Sequence, residues 1–281
     1  MNLQKFDYWG TDLSLTWQDH VNNFNYFFTG NFSLVQSKVV FNDEQPKNYD
    51  YQRGTGRQVG LQYGYTAIGL FQSYDEINDP KTAVFASTPK STLRPGDIRY
   101  LDRNGDGVID NNDNGTIGSG NPVIYFGFTF GFSYKGFDMS MLIQGTQNRV
   151  SYLSGDFFNG YGSGGNYNAY DYNLGRWTPE TAAKATQPRL WLGSNVNNTQ
   201  TSTFWIRNTD FIRLKNAEIG YTLPAKLSQK VGIPSVRLFA NGLNLFTWSE
   251  LYKIRKDVDP EAMGGTYPIM RVLNFGVTVK L

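Results

Sequence analysis

One stretch of this chain has the residue types and spacing for a defined chemistry, and it begins at Asp102. Asp102, Asn104, Asp106, Asp110 and Asp113 put side-chain oxygens at loop positions 1, 3, 5, 9 and 12. Gly107 stands at position 6, where a sharp turn is needed, and the Val108 carbonyl is available at position 7. Hard cations take about six to eight oxygens, and this spacing wraps them around one point. The spacing predicts a structural Ca2+ site that pins an exterior loop, with Ile109 anchoring it to a neighbouring strand. Asp113 stands where a bidentate Glu is usual, which shortens the reach and weakens the expected affinity. The competing reading is a series of Asn, Asp and Gly turns that hold their shape without an ion.

Other candidates for chemistry are thinner. Gly160-Tyr-Gly162-Ser-Gly-Gly165 matches the dinucleotide fingerprint, but no strand leads in and no helix follows, so it reads as a loop. His20, the single histidine, falls in a short turn with no second histidine or cysteine to complete a metal site or a dyad. No carboxylate pair is marked by spacing for hydrolysis, and nothing predicts an enzyme. Tyr161, Tyr167, Tyr170, Tyr172, Trp177 and Trp191 gather in one long polar stretch. Their faces suit sugar rings or a partner surface, and they suit packing of the loop against itself equally well. Thr178-Pro179-Glu180 has the form of a helix start.

The elements that must carry these residues are strands. Ile124, Phe126, Phe128, Phe130, Phe132 and Tyr134 occupy every second position, with Tyr125, Gly127, Thr129, Gly131 and Ser133 between them. After a Lys135-Gly136 turn, Phe137, Met139, Met141 and Ile143 resume on one face, with Asp138, Ser140 and Gln144 on the other. Side chains of a strand alternate between faces, so this hairpin has one aromatic face and one small, polar face. A soluble sandwich turns such an apolar face to its core; a transmembrane barrel turns it to lipid and the polar face to a wet lumen.

Similar alternation runs through 13–18, 24–34, 211–223, 236–248 and 273–281, giving about seven strands near the ~10 residues that a tilted membrane strand needs. Short turns at 19–23, 135–136 and 224–234 fall on one side, the last carrying Pro224 and Gly232 where a helix would start and stop. Long polar connections at 36–120, 147–208 and 250–268 fall on the other. That sorting of loops favours the barrel. Arg213, Lys215 and Glu218 interrupt 211–223, which predicts that its outer half lies above the membrane.

Composition agrees with an all-β barrel. Aromatics make up 16% of 281 residues, and Gly is the other abundant type at 30. No apolar run is long enough for a membrane helix. A net charge of +2 is too small to imply nucleic acid as a partner, and the absence of cysteine excludes a disulfide framework. The start, MNLQKFDYWG, has no signal-peptide pattern; a secreted bacterial barrel needs one, so either the chain is a fragment or the barrel reading is wrong.

Several ordered motifs resemble one family. Gly54-Thr-Gly-Arg-Gln-Val59-Gly60, Tyr63-Gly64-Tyr65, Gly69-Leu70-Phe71-Gln72, Pro95-Gly96-Asp97-Ile98 and the Asp102–Asp113 loop come first. The Phe126–Asp138 hairpin, Arg176-Trp177-Thr-Pro-Glu180, Phe211–Lys215, Gly220–Pro224 and Asn241-Gly-Leu-Asn244-Leu-Phe246 follow. Together they are similar to the C-terminal part of SusC/RagA-type TonB-dependent outer-membrane transporters over residues 1–281. The resemblance implies an antiparallel transmembrane β-barrel, present here as a partial, open, curved sheet without plug or signal peptide. It implies a bacterial outer-membrane protein that contacts lipid and imports oligosaccharides or peptides. The expected partners are a SusD-like surface lipoprotein and the TonB complex, the latter through the missing N-terminal part. The chain departs from the family in ending at Leu281 rather than an aromatic residue. The alternative function is a secreted or surface calcium-stabilised β domain that binds carbohydrate.

Overall fold

The computed structural model describes residues 3–153, 170–228, 230, 232–262 and 269–280. Its main feature is a sheet of seven long strands: β1 (Gln4–Val21), β2 (Phe24–Asn42), β3 (Ile124–Tyr134), β4 (Phe137–Gln147), β5 (Phe211–Thr222), β6 (Ser235–Ser249) and β7 (Val272–Lys280). They lie side by side in chain order, and the registers from β2 to β7 are antiparallel throughout. The sheet is open, ending at β1 and β7.

Local sequence explains the hairpins. Lys135 and Gly136 both have positive φ, 47° and 88°, the left-handed pair that a two-residue turn needs to match strand twist. Asn22 takes φ 54° in the turn after β1. Pro224 precedes the short helix Ala225–Ser228, and Gly232 adopts φ 72° before β6, as the punctuation predicts.

One expectation needs correction. β1 and β2 run for 18 and 19 residues, well beyond 13–18 and 24–34. Phe6 and Tyr8 fall on the opposite parity to Leu13, Leu15 and Trp17, so a search for one unbroken alternation stops short. The charges of β5 follow its register. Its register with β4 shifts between Leu142 and Ile143, leaving Lys215 without a partner there. One extra residue reverses which face the later side chains occupy. Arg213 therefore shares a row with Gln144 and Thr247, and Glu218 shares one with Ser140 and Asn241. Both belong to the polar face.

The long connections are not simple polar loops. Residues Met1–Asp7, Ser37–Asn121 and Val150–Asn208 form one compact unit, and Tyr8–Gln36, Pro122–Arg149 and Thr209–Leu281 form the other. The first has its own core of Phe85, Ile98, Tyr100, Ile109 and Trp205, all at most 5% exposed. Short strands build it: Leu61–Gly64 with Gly115–Ser119, Ala67–Leu70 with Ile98–Tyr100, and Val150–Tyr152 with Ile206–Asn208. Segments of two to five residues are too short to leave a periodic signature.

A buried carboxylate ties this unit together. Asp97 is 1% exposed. It accepts hydrogen bonds from the Arg94 backbone at 2.9 Å, Asn198 Nδ2 at 2.9 Å and Asn195 Nδ2 at 3.1 Å, and it pairs with Arg189 at 2.8 Å. Asn198 Oδ1 in turn accepts from the Ile98 backbone, and the Asn198 carbonyl accepts from Trp205 Nε1. A buried charge is tolerated only when so fully partnered.

Candidate functional site on the polar face of the sheet

Residues directly opposite one another on paired strands share a face, so the register sorts the sheet into rows. Asn25, Ser133, Asp138, Gly220, Phe239 and Gly276 form one row across β2 to β7, and Phe27, Gly131, Ser140, Glu218, Asn241 and Asn274 form the next. Thr129, Ser133, Ser140 and Gln144 all fall on this face, as the alternation predicts. Phe126, Phe128, Phe130, Phe132, Met139 and Met141 fall on the other.

The polar face carries a connected charge network. Arg237 donates to Asp138 and, at 2.7 Å, to Glu218. Asn241 donates to Glu218 at 3.2 Å, and Asn274 donates to Asn241 at 2.9 Å. One guanidinium between two carboxylates thus links β4, β5, β6 and β7.

A second cluster lies one bulge further along. Arg213, fully buried, donates to Asp259 at 2.6 Å, Glu261 at 2.8 Å and Thr247 at 2.9 Å. Arg149 donates from Nη1 to the carbonyls of Pro260 and Glu261, each at 3.2 Å. These bonds hold the segment after β6 against the strands that precede it in the chain. Neither cluster was singled out from sequence as a site. The sequence signal for the second was Arg213 standing among the apolar residues of 211–223.

The opposite face is apolar and uncovered. Leu273, Val277 and Phe275 on β7 are 62%, 60% and 82% exposed, and Phe128, Phe137, Ile219, Phe246 and Trp248 are also exposed. A contiguous surface of this kind is a site of contact with lipid or another apolar phase. Among the described residues no helix is long and apolar enough to cross a membrane.

The Asp102–Asp113 loop is closed by its own hydrogen bonds. Asp102 accepts from the backbones of Gly105 and Gly107 at 2.7 Å, and Asn104 and Asp106 accept from Asp106 and Val108. Asp113, 1% exposed, accepts from Arg103, Asn104 and Asp110. Asp110 caps the turn Asn111–Asp113. Ile109 is buried, and Val108–Ile109 pairs with Val84–Phe85, so the predicted anchoring is present. Gly105 and Gly107 have φ 78° and 88°. Among the described residues no three acidic side chains are grouped so as to hold a metal.

The aromatic candidates occupy separate environments. Tyr161 and Tyr167 lie outside the described residues, as does the Gly160–Gly165 run. Tyr170 and Tyr172 stack with centroids 5.9 Å apart. Trp177 packs on Gly96, whose φ of 90° and lack of a side chain admit the ring, and its Nε1 donates to Gln72. Trp191 is 8% exposed. His20 lies within β1, next to its last residue, rather than in a turn, and its side chain is exposed beside Asp19. The helix expected at Thr178 is replaced by a turn closed by Thr181 and the 3₁₀ segment Ala182–Lys184. Burial pushes the Tyr100 hydroxyl above the usual tyrosine range, so it donates to the Asn197 carbonyl as a neutral phenol.

The sequence and the fold are similar to known proteins. TonB-dependent receptor P26 of Formosa agariphila is 29% identical over 238 residues, covering 80% of this chain and 23% of that protein. TonB-dependent receptor P3 of the same organism is 27% identical over 99% of the chain and 29% of its own length. SusC of Bacteroides thetaiotaomicron is 26% identical over 82% of the chain and 21% of its own. The chain is similar in sequence to TonB-dependent receptors, SusC among them. No family model matches it. The fold agrees: the solved RagAB peptide transporter superposes with a TM-score of 0.69 at 21% identity, over 99% of this chain and 30% of that one. A RagAB importer in its closed-closed state gives 0.68. The chain spans less than a third of the length of the receptors it matches. Within that frame the seven strands are barrel wall, and the Arg237 and Arg213 clusters are on the face away from the apolar surface.

Proposed function

We propose that this chain is part of a bacterial outer-membrane transporter that imports oligomeric nutrients, glycans or peptides. Energy is relayed through TonB, a SusD-like lipoprotein attends the exterior side, and the chain catalyses no reaction. The observation that carries this reading is the division of one sheet into two faces. Phe275, Leu273 and Phe246 stand uncovered on one, while Asp138, Glu218, Arg237 and Asn241 are hydrogen-bonded on the other. A soluble calcium-stabilised β domain would bury the first face. A wall between lipid and an aqueous lumen leaves it out and keeps the charges on the wet side. The names of the relatives support the same assignment.

Substitution on the two faces tests the membrane orientation. Phe128→Arg near the bilayer midplane costs about 2–4 kcal/mol of folding free energy in lipid, and Thr129→Arg costs much less. Equal costs in bilayer refolding titrations overturn the assignment. Transport is tested by growth on glycan or peptide oligomers as sole carbon source. Undiminished growth on every oligomer in a strain lacking the protein overturns it.

A further inference from the structure

At the end of the sheet that carries the short turns, lysines stand over an aromatic row on the apolar face. Phe24, Tyr134, Phe137 and Tyr221 lie opposite one another across β2 to β5. We propose that this end of the chain binds anionic phospholipid headgroups through Lys135, Lys226 and Lys230. The proposal rests on reading the sheet as a membrane wall, and it names the lipid chemistry that the wall meets on its short-turn side.

The row has the make-up of an interfacial belt. The rings of Phe137 and Tyr221 are 4.4 Å apart, and those of Phe24 and Tyr134 are 6.2 Å apart. Aromatic rings with a polar tip settle where hydrocarbon gives way to headgroups. Lys135 Nζ stands 5.1 Å over the Tyr134 ring, which holds an ammonium at that level on the apolar side of the sheet. Lys135 also keeps a φ of 47°, in a turn position that Asn, Asp or Gly fills with less strain. The turn alone does not call for lysine there.

The neighbouring turn adds two more cations. The Thr222 N–H donates to the Gly136 carbonyl at 2.8 Å, which sets the start of the 224–234 connection beside Lys135. Lys226 and Lys230 are exposed in it, as is the apolar Leu227. Residues 135–136 and 224–234 hold three lysines and no Asp or Glu. The carboxylates of Asp138 and Glu218 belong to the polar face and are bound by Arg237. Asp19 shares the parity of Leu13, Leu15 and Trp17 but lies two strands away on β1, where it accepts from the His20 backbone at 2.7 Å. Three ammonium groups against one carboxylate complement a phosphate. A choline or ethanolamine headgroup brings its own cation and offsets that attraction, so the surface favours a headgroup with net negative charge.

The test uses the receptor containing this chain, reconstituted in phosphatidylcholine vesicles. The chain has no cysteine, so Ala225→Cys, exposed beside Lys226, carries a single bimane label once any cysteine elsewhere in the receptor is changed to serine. The vesicles are doped with phosphatidylglycerol or phosphatidylcholine bearing a nitroxide close to the headgroup, and quenching reads occupancy next to the label. Phosphatidylglycerol should quench at about threefold lower concentration than phosphatidylcholine, and added salt should shrink the difference. Lys135→Asn combined with Lys226→Gln and Lys230→Gln should bring the ratio to about one. Lys135→Arg should keep the preference, as should Lys253→Gln, which lies after β6 at the opposite end of the strands. Circular dichroism checks that each variant folds. Equal quenching by the two lipids, or a preference unchanged in the folded triple variant, overturns the proposal and leaves the membrane wall standing. Loss of the preference on adding soluble glycerophosphate marks a site for free phosphate and also overturns it. No quenching by either lipid removes the membrane-wall reading, and the proposal falls with it.

Discussion

Phe27 lies directly across from Gly131, and its ring covers the place where a side chain at Gly131 would stand. A Cβ there would come within 2.6 Å of Phe27 Cε1. Phe126 covers Gly145 and Phe239 covers Gly276 in the same way, each across one strand pair. A ring laid over glycine hides its backbone from solvent and restores packing that glycine lacks, a recurrent device for pinning register in curved sheets.

Gly131→Ala should therefore cost about 1–3 kcal/mol, through displacement of Phe27 and the crowded β4 backbone. Thr129→Ala, on the same strand and face, should cost less. Denaturant titration of the refolded protein compares the two; equal costs would show that the ring-on-glycine contact contributes nothing.

Arg213 is the only described cation on Asp259. Arg213→Met leaves that carboxylate buried without its guanidinium and should destabilise the segment after β6 by about 3–5 kcal/mol. Arg213→Met combined with Asp259→Asn and Glu261→Gln should recover part of this. Proteolytic nicking between Glu250 and Ala262, which should rise in the single variant and fall back in the triple one, is the measurement.

Backbone N–H bonds from Gly54 at 3.0 Å and Thr55 at 2.9 Å hold the Glu44 carboxyl below its ordinary value of 4.5. A depressed pKa stabilises the fold above the unfolded value, and the contribution is lost as pH falls through the folded one. Exchange protection of the Gly54 and Thr55 amides should be level from neutral pH down to about 4.5 and fall below it. Glu44→Gln should flatten that profile. A profile unchanged by the substitution would show that the Glu44 carboxylate does not protect these amides.

Calcium at the Asp102–Asp113 loop stands as a proposal. The loop closes through Asp102, Asn104 and Asp106 hydrogen bonds, so an ion would add stability to an existing shape. Binding in the roughly 10⁻⁴–10⁻³ M range of extracellular modules is expected, with loss in Asp106→Ala. No calorimetric heat and no calcium-dependent rise in melting temperature would leave the loop as a series of turns.

What the chain discloses on its own is local. The alternation from Ile124 to Tyr134 needs only neighbouring residues, and so do the Lys135-Gly136 turn and the Gly107 corner of the acidic loop. Each was legible because period and backbone preference are written into consecutive side chains. The long reach of β1 and β2 was hidden by the change of parity at Phe6 and Tyr8. The place of Arg213 was hidden by the bulge at Lys215, which reverses the face and is visible only once β4 is paired with it. The Asp97–Asn198 bond joins residues 101 positions apart, and the Arg237 network takes its members from β4, β5, β6 and β7. Periodicity establishes which residues are apolar and where the chain turns. Which polar residues meet depends on register and long-range pairing, and those exist only in the folded sheet.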